Sequence, residues 1–431
     1  MKSAPILLYI SIVVFAGVMI GIIPALFVLV LMILSMFTLN RHEIIVALTF
    51  AFVPVLGMAF SHYNIGIPSS LVCLLTVLLF SFKEIGKIIK NNRRPITYIF
   101  ALWAIMLAYY FITGRTENSS SKIVVMSELV ILYSLAVFIL SSAKDIRFDK
   151  IAPFLLMSGV FIVAAAHDYS SYPAFSGLFD FDTIRSEFSL RKRNLDEGGV
   201  SYQKIGMQVI CAEALFLSAS KKFDFNSFFL LFVCSWIALV SGSRQAILGV
   251  LVIFGAWIIL KNGKGIKKGD VVLSIIALFV LILGLSTLEL DIFSDLFQSD
   301  SSVEESTGRD YLYPLAIIQS NLLFGVGFGN YENPFIDGEV YPHNLFLEIL
   351  CEMGIIGLAV ISIVIITWYI NEKPVFMQRV NSGGLAALIV LPFLIRSMIS
   401  DDLSYNFVLF VLVFTLFAKR SNNFQVNNGK L

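Results

Sequence analysis

The stretch from Thr307 to Gly357 reads TGRDYLYPLAIIQSNLLFGVGFGNYENPFIDGEVYPHNLFLEILCEMGIIG. It is the longest polar interruption in an otherwise apolar sequence. Near its end, His343 and Asn344 stand where a new hydrophobic run begins. This arrangement indicates that polar, chemically active residues lie at the edge of a membrane.

The composition indicates an integral membrane protein. The 431 residues are 58% hydrophobic and 14% charged, whereas soluble proteins are roughly half apolar and about a quarter charged. Apolar runs of about 16 to 28 residues recur from end to end, and a hydrocarbon core of about 30 Å takes about 20 helical residues. The predicted fold class is therefore all-α and polytopic. Because the net charge is only +1, no nucleic-acid partner is expected.

We predict about fourteen spans in one transmembrane domain that covers residues 1–431. The first apolar run is too long for one helix, and Gly21 and Pro24 mark a break within it. Beyond that pair, the predicted spans are 43–60, 67–82, 97–113, 123–141, 151–166, 204–219, 226–240, 245–260, 271–288, 343–370, 382–399 and 405–418.

The basic residues predict the orientation of these spans. Short loops rich in lysine and arginine, such as 83–94 and 261–268, all fall on one side together with both termini. By the positive-inside rule that side is cytoplasmic. The opposite side receives a loop at 168–202, a large loop at 289–342, and the short turn from Ser241 to Arg244. Both long loops are therefore predicted to be extracytoplasmic.

Two arginines on the predicted outer side are candidates for binding phosphate. Arg244 lies in a minimal turn where the topology rule does not favour a cation, and it is either an interfacial anchor or a bidentate phosphate ligand. Arg309 follows Thr307, which with Asp310 fits a helix-capping signature. An arginine at a helix start opposes the dipole, so it is either solvated or paired with an anion.

The glycines of the large loop do not form a nucleotide-binding motif. Gly325, Gly327 and Gly329 lack the spacing of a dinucleotide fingerprint, and a polytopic helical chain offers no strand-helix-strand context for one. We interpret them as flexible backbone that lets the loop fold back over the membrane surface.

A polar stripe opens the span that follows this loop. Asn344, Glu348 and Glu352 are spaced four residues apart and share one helix face, with His343 beside its top. His343 is either structural or functional, and two acids along the same face favour function. Glu352 lies about 15 Å along the helix from His343, and an intramembrane acid is a functional candidate by default.

Two further outward clusters contain candidate substrate-binding arginines. Arg396 lies with Asp401 and Asp402 at the outer end of the penultimate span, where the alternative is a local ion-pair cluster. Arg191 and Arg193 belong to the charged run RKRNLDE in the 168–202 loop. That run is either solvated or in contact with an anionic glycan or headgroup.

These motifs resemble the O-antigen ligase and O-antigen polymerase (Wzy-type) superfamily of bacterial polysaccharide assembly. The resemblance covers mainly residues 235–370, together with the many spans and the large late outward loop. The matching pieces are Ser243-Arg244, Gly308-Arg309, Gly325-x-Gly327-x-Gly329, and His343-Asn344 followed by Glu352-x-Gly354-x-x-Gly357.

The resemblance implies a metal-independent glycosyltransferase without cofactors, acting at the outer face of the bacterial inner membrane. Its donor is an undecaprenyl-pyrophosphate-linked glycan. Arg244 and Arg309 are expected to stabilise the departing pyrophosphate, and His343 is expected to take the proton of the acceptor hydroxyl, with inversion. Asn344 is expected to bind glycan, and the two glutamates to orient His343 or an arginine. Besides the glycan and the bilayer, a chain-length regulator and a flippase are the implied partners.

The sequence does not identify the molecule that accepts the glycan. A polymerase that extends lipid-linked repeats is preferred, and the alternative is a ligase that transfers the glycan to lipid A core or protein. A transporter of lipid-linked glycans is a rival from another class. Transporters usually have duplicated halves and polar sites near the membrane midplane, whereas here the polar residues gather at the predicted outer edge. A structural membrane protein would leave the outward arginines unexplained.

Overall fold

The fold is known from a computed structural model of the chain. The described residues are 9–11, 13–14, 17–18, 24–62, 67–113, 116–143, 146–168, 202–220, 225–240, 244–261, 321–331, 342, 344–381, 385–399 and 402–418.

Within these ranges the chain is helical apart from turns, and no strand occurs there, which confirms the predicted all-α class for this part of the chain. The π-helical turn Leu48–Phe52 joins the second helix to the third. The α-helices are α1 Ala25–Met36, α2 Arg41–Ala47, α3 Val53–His62, α4 Ser69–Ser81, α5 Ile85–Asn91, α6 Arg93–Thr113, α7 Glu117–Ser142, α8 Phe148–Asp168, α9 Tyr202–Ala219, α10 Phe225–Val240, α11 Arg244–Lys261, α12 Leu345–Asn381, α13 Leu385–Ile399 and α14 Leu403–Leu416.

Three helical segments are long and apolar enough to cross a membrane: Arg93–Thr113, Glu117–Ser142 and Leu345–Val380. Six shorter apolar helices of 10–17 residues accompany them in the described part of the chain. These helices indicate a membrane protein. The count of fourteen spans and the outward position of the long loops stay predictions. Three parts of the chain lie outside the described residues: 169–201, 289–320 and the predicted span at 271–288.

The chain divides into two compact units. The first contains residues 1–80, 145–296 and 380–392. Here α9 packs against α8, α10 and α11, and α8 also packs on α1. Pro24 stands at the start of α1, as the predicted break required. The buried Glu43 closes a capping box with Asn40 at the start of α2 and accepts a hydrogen bond of 3.0 Å from the Arg147 backbone N–H.

The second unit contains residues 81–144, 297–379 and 393–431. Its best-packed pair is α7 with α14, and α6 packs against both. A row of aromatic side chains on α14 contributes to this packing, with Phe414 contacting Tyr98 of α6 and Trp368 of α12. The stretch from Thr307 to Gly357 belongs to this unit.

Helix α12 is interrupted at Gly354, whose φ of 64° and ψ of −170° are not helical. A break of this kind frees backbone groups that an intact helix would pair internally. The segment 321–327 supplies their partners. Val326 and Gly327 donate N–H bonds of 2.8 and 3.0 Å to the carbonyls of Cys351 and Glu352. The sequence prediction of one continuous span at 343–370 is therefore corrected to two helical pieces joined at Gly354.

After the break, α12 donates hydrogen bonds to the segment 321–327 instead of accepting them. The N–H groups of Ile355 and Ile356 donate to the carbonyls of Leu322 and Leu323, at 2.9 and 3.2 Å. The Tyr109 hydroxyl donates to the Met353 carbonyl at 3.0 Å. In hydrocarbon an unpaired backbone group costs several kcal/mol, so this pairing makes the break compatible with a membrane span.

Candidate functional site

Three helices of the second unit start at the same end of that unit, and polar side chains cap each start. Thr116 caps α7 by accepting from the Ser119 N–H, and Asp402 caps α14 by accepting from Ser404 and Tyr405. Asn344 does the same for α12. The positive ends of three helix dipoles therefore gather at this end, which under the predicted topology faces outward.

Asn344 fixes the start of α12. Its Oδ1 accepts hydrogen bonds from the N–H groups of Phe346 and Leu347 at 3.0 and 3.2 Å. Its Nδ2 donates to the carbonyl of Met398, near the end of α13, at 3.3 Å. The side chain is buried. Asn344 therefore holds the backbone directly after His343, and a contact between this amide and a glycan stays a prediction.

The two glutamates of the predicted stripe meet a lysine. The Lys122 ammonium, on α7, donates to one carboxylate oxygen of Glu348 and to one of Glu352. The same Glu348 oxygen accepts the Leu403 N–H at 2.9 Å, and the ammonium lies 5.5 Å from the centre of the Phe328 ring. We call Lys122, Glu348 and Glu352 the charged cluster.

The charged cluster is buried and uneven, with two acids for one base. Both glutamates are 0% exposed and Lys122 is 8% exposed. One ammonium faces two carboxylates, and the second oxygen of each carboxylate has no hydrogen-bond partner among the described residues. The nearby starts of α12 and α14 favour negative charge. Because a buried charge is costly unless it is paired, Lys122 is the group that makes this arrangement of acids tolerable.

The glycine-rich segment is a tightly packed turn, which corrects its interpretation as flexible backbone. Gly325, Gly327 and Gly329 have φ values of 72°, 105° and 67°, a region that disfavours other residues. A Cβ on Gly325 would lie 2.3 Å from the backbone of Glu352, and one on Gly329 would lie 2.6 Å from the Ser119 Cα. Glycine is required here for close backbone contact.

Three hydrogen bonds connect the far end of this turn to the last residue of α6 and to the cap of α7. The Phe328 N–H donates to the Thr113 hydroxyl oxygen at 3.1 Å, and Asn330 Nδ2 donates to the Thr113 carbonyl at 3.0 Å. Thr116 donates to Asn330 Oδ1 at 2.9 Å. The turn therefore runs from the break in α12 to the capped start of α7, beside the charged cluster.

The structure describes only some of the other predicted site residues. Arg396 is half-buried near the end of α13, with its guanidinium carbon 5.7 Å from the centre of the Tyr405 ring. Arg244 is the first residue of α11, and its side chain lies outside the described part of the structure. His343, Arg309, Arg191 and Arg193 also lie outside the described residues. The convergence of the two arginines on His343 therefore stays a prediction.

Lys122 is the residue of this site that sequence reasoning missed. It lies one residue before the predicted span 123–141 and was not among the candidate residues. A signal was present, because a lysine on the predicted outer side, one residue before an apolar run, opposes the positive-inside rule in the same way as Arg244. A buried acid pair such as Glu348 and Glu352 also requires a cation somewhere.

Asn344→Ala is expected to destabilise the second unit by about 1 kcal/mol through loss of the helix cap, with a further loss from the unpaired Met398 carbonyl. Asn344→Ser keeps a cap acceptor without the amide donor to the Met398 carbonyl, so it should recover the capping contribution alone. The measurement is the melting temperature of the purified protein in detergent. Equal melting temperatures for Asn344→Ala and the wild type would contradict the capping role.

The described helices, with three segments suited to crossing a membrane and a charged cluster buried at one end of the second unit, define a helical membrane protein. Residues 229–362, about a third of the chain, match the family described as O-antigen ligase. This match confirms the resemblance to the O-antigen ligase and polymerase superfamily. It includes Arg244, Arg309, His343 and both glutamates, but not Lys122. A comparison with curated proteins finds no match.

Proposed function

We propose that the protein is a glycosyltransferase of the bacterial inner membrane that polymerises undecaprenyl-pyrophosphate-linked oligosaccharide repeats at the outer membrane face. The observation that carries the proposal is the fixed start of α12. Asn344 and the charged cluster hold this helix start to α7, α13 and α14, and His343 directly precedes Asn344 in the chain. A rigidly held helix start suits a general base, because catalysis depends on position to a fraction of an ångström.

His343 takes the proton of the acceptor sugar hydroxyl in this proposal. The attacking oxygen then displaces the lipid pyrophosphate from the anomeric carbon with inversion. A histidine suits the role because its ordinary pKa lies near neutrality, so the neutral imidazole is available as a base. Asn344 and the charged cluster do not touch the reacting atoms and serve as positioning groups.

Arg244 and Arg309 stabilise the departing pyrophosphate. Guanidinium groups bind phosphate oxygens bidentately and stay charged at every physiological pH. They replace the divalent cation that other transferases use for the same purpose. Their presence within the segment that matches the family supports this assignment. Arg396, Arg191 and Arg193 are proposed to contact the glycan or its phosphates.

The second candidate function is ligation of the finished glycan to lipid A core or to protein. The observation that favours it is the description of the matching family, O-antigen ligase. The two functions share a donor and a leaving group and differ only in the acceptor. The proposed chemistry of His343 and the arginines is the same in both. Chain-length regulator and flippase proteins are proposed partners of the polymerase.

Surface polysaccharide from a deletion strain separates the two functions. For a polymerase, the gel ladder is expected to collapse to a single attached repeat, because ligation continues without polymerisation. Complementation with His343→Ala should leave that collapsed pattern, with normal amounts of protein in the membrane. Complete loss of attached repeats would instead identify a ligase, and a wild-type ladder with His343→Ala would contradict the proposed base in either function.

A further inference from the structure

The turn at residues 321–325 presents an apolar tip. Leu322, Leu323 and Phe324 are 52%, 56% and 55% exposed, although they belong to a segment predicted to be a polar extracytoplasmic loop. Three consecutive exposed apolar side chains are unusual on a surface that faces water. The backbone of the same turn is pinned to the break in α12, so these side chains have a fixed place along that helix.

The N–H groups of this turn and of the residues that follow it are paired within the protein. Each N–H group from Leu323 to Phe328 donates a hydrogen bond. Leu323 and Phe324 donate to Asn321 Oδ1, Gly325 to the Asn321 carbonyl, and Phe328 to Thr113. As described above, Val326 and Gly327 donate to α12. The carbonyls of Leu322 and Leu323 also accept from Ile355 and Ile356 of α12. Most of this backbone is therefore paired against α12, and irregular backbone is tolerated at membrane depth where it is buried in protein.

Under the predicted topology, in which α12 starts at the outer membrane face, the turn lies at membrane depth. Gly354 is nine residues beyond Leu345, the first residue of α12, which is about 14 Å along the axis. That is roughly half of a hydrocarbon core of about 30 Å. The exposed side chains of Ile355 and Ile356, whose N–H groups bind the turn, continue along the same helix to the exposed Ile363 and Ile366. The turn therefore adjoins a helix surface that is itself suited to lipid.

We propose that residues 321–325 form a re-entrant turn whose Leu322, Leu323 and Phe324 side chains contact the hydrocarbon core of the bilayer. The partner is the acyl chains of the membrane. In this proposal the large loop is not wholly extracytoplasmic. Its chain enters the membrane, forms hydrogen bonds with the backbone at the break in α12, and leaves the membrane at Asn330. This proposal does not depend on the proposed catalytic function.

The test measures the depth of single labelled positions. Phe324→Cys carries an environment-sensitive fluorophore in proteoliposomes of phosphatidylcholine and phosphatidylglycerol. One quencher is a nitroxide placed deep on the acyl chain, and the other is a water-soluble ion. Ile363→Cys is the control for a lipid-facing position, and Asn118→Cys, exposed beside the cap of α7, is the control for an aqueous position. The four native cysteines are buried, so the unsubstituted protein gives the labelling background.

The label at position 324 is expected to be quenched by the lipid nitroxide to the same extent as the label at 363. The aqueous ion is expected to quench it much less than it quenches the label at 118. Leu323→Cys should behave in the same way, which keeps the test valid if Phe324→Cys does not fold. A label at 324 that responds to the aqueous ion as the label at 118 does would overturn the proposal. Shielding from both quenchers would also overturn it, because protein would then cover the turn.

Discussion

Lys122→Met is expected to abolish polysaccharide formation and to lower the melting temperature of the protein more than any change to the acids it binds. The substitution leaves Glu348 and Glu352 buried without their cation. Breaking a buried ion pair by removing one partner costs about 3–5 kcal/mol, because the remaining charge is uncompensated. Here two buried carboxyl groups lose the same cation, and each must either stay charged without a partner or take up a proton, which costs free energy in both cases.

Glu352→Gln is the matched comparison for this prediction. It leaves Lys122 paired with Glu348, which balances one charge against one, so the expected loss is about 1–3 kcal/mol. Adding Glu348→Gln and Glu352→Gln to Lys122→Met should recover much of the stability, since no buried charge then remains. Melting temperatures in detergent and glycan ladders in the deletion strain measure both effects. If Lys122→Met and Glu352→Gln lower the melting temperature equally, the uneven charge of the cluster is not what governs its stability.

Gly325→Ala and Gly354→Ala are each expected to prevent the turn from docking into the break in α12. The added Cβ would lie 2.3 Å from backbone atoms of the other segment in both cases. A non-glycine residue at such a φ costs about 1–3 kcal/mol, and overpacking adds about 1–3 kcal/mol. The freed groups of Cys351, Glu352, Ile355 and Ile356 would then lose their partners within the span.

Gly86→Ala provides the control, because a Cβ at this position in α5 of the same unit meets nothing within 4 Å. Alanine is also the better helix former, so this variant should be as stable as the wild type or slightly more so. The readout is the yield of monodisperse protein from membranes, followed by its melting temperature. Wild-type yield and melting temperature for Gly325→Ala would show that the turn and the break do not pack as described.

Much of the architecture follows from hydrophobic patterning alone. Helices α6 and α7 contain the predicted segments 97–113 and 123–141, because a long apolar run forms a helix in a bilayer. The stripe of Asn344, Glu348 and Glu352 also appears on one face, as its spacing required. Local periodicity is sufficient for inferences of this kind.

The partners of that stripe could not be predicted in the same way. Lys122 and Glu348 are 226 residues apart in sequence, and no local pattern joins them. The glycines were interpreted as flexible because glycine permits many conformations, whereas each glycine of the turn occupies one conformation set by close backbone contact. Such a contact depends on the break in α12, and the sequence shows Gly354 without showing what packs on it.

His343 is the proposed base of a glycosyl transfer, and Asn344 and the charged cluster hold the helix start that follows it. The most direct measurement is extension of a defined undecaprenyl-pyrophosphate oligosaccharide by the purified protein, with wild type and His343→Ala compared at equal amounts and equal melting temperatures. The wild type should lengthen the glycan by whole repeats and release undecaprenyl pyrophosphate, and His343→Ala should do neither. Extension at the wild-type rate by His343→Ala would show that His343 is not the base.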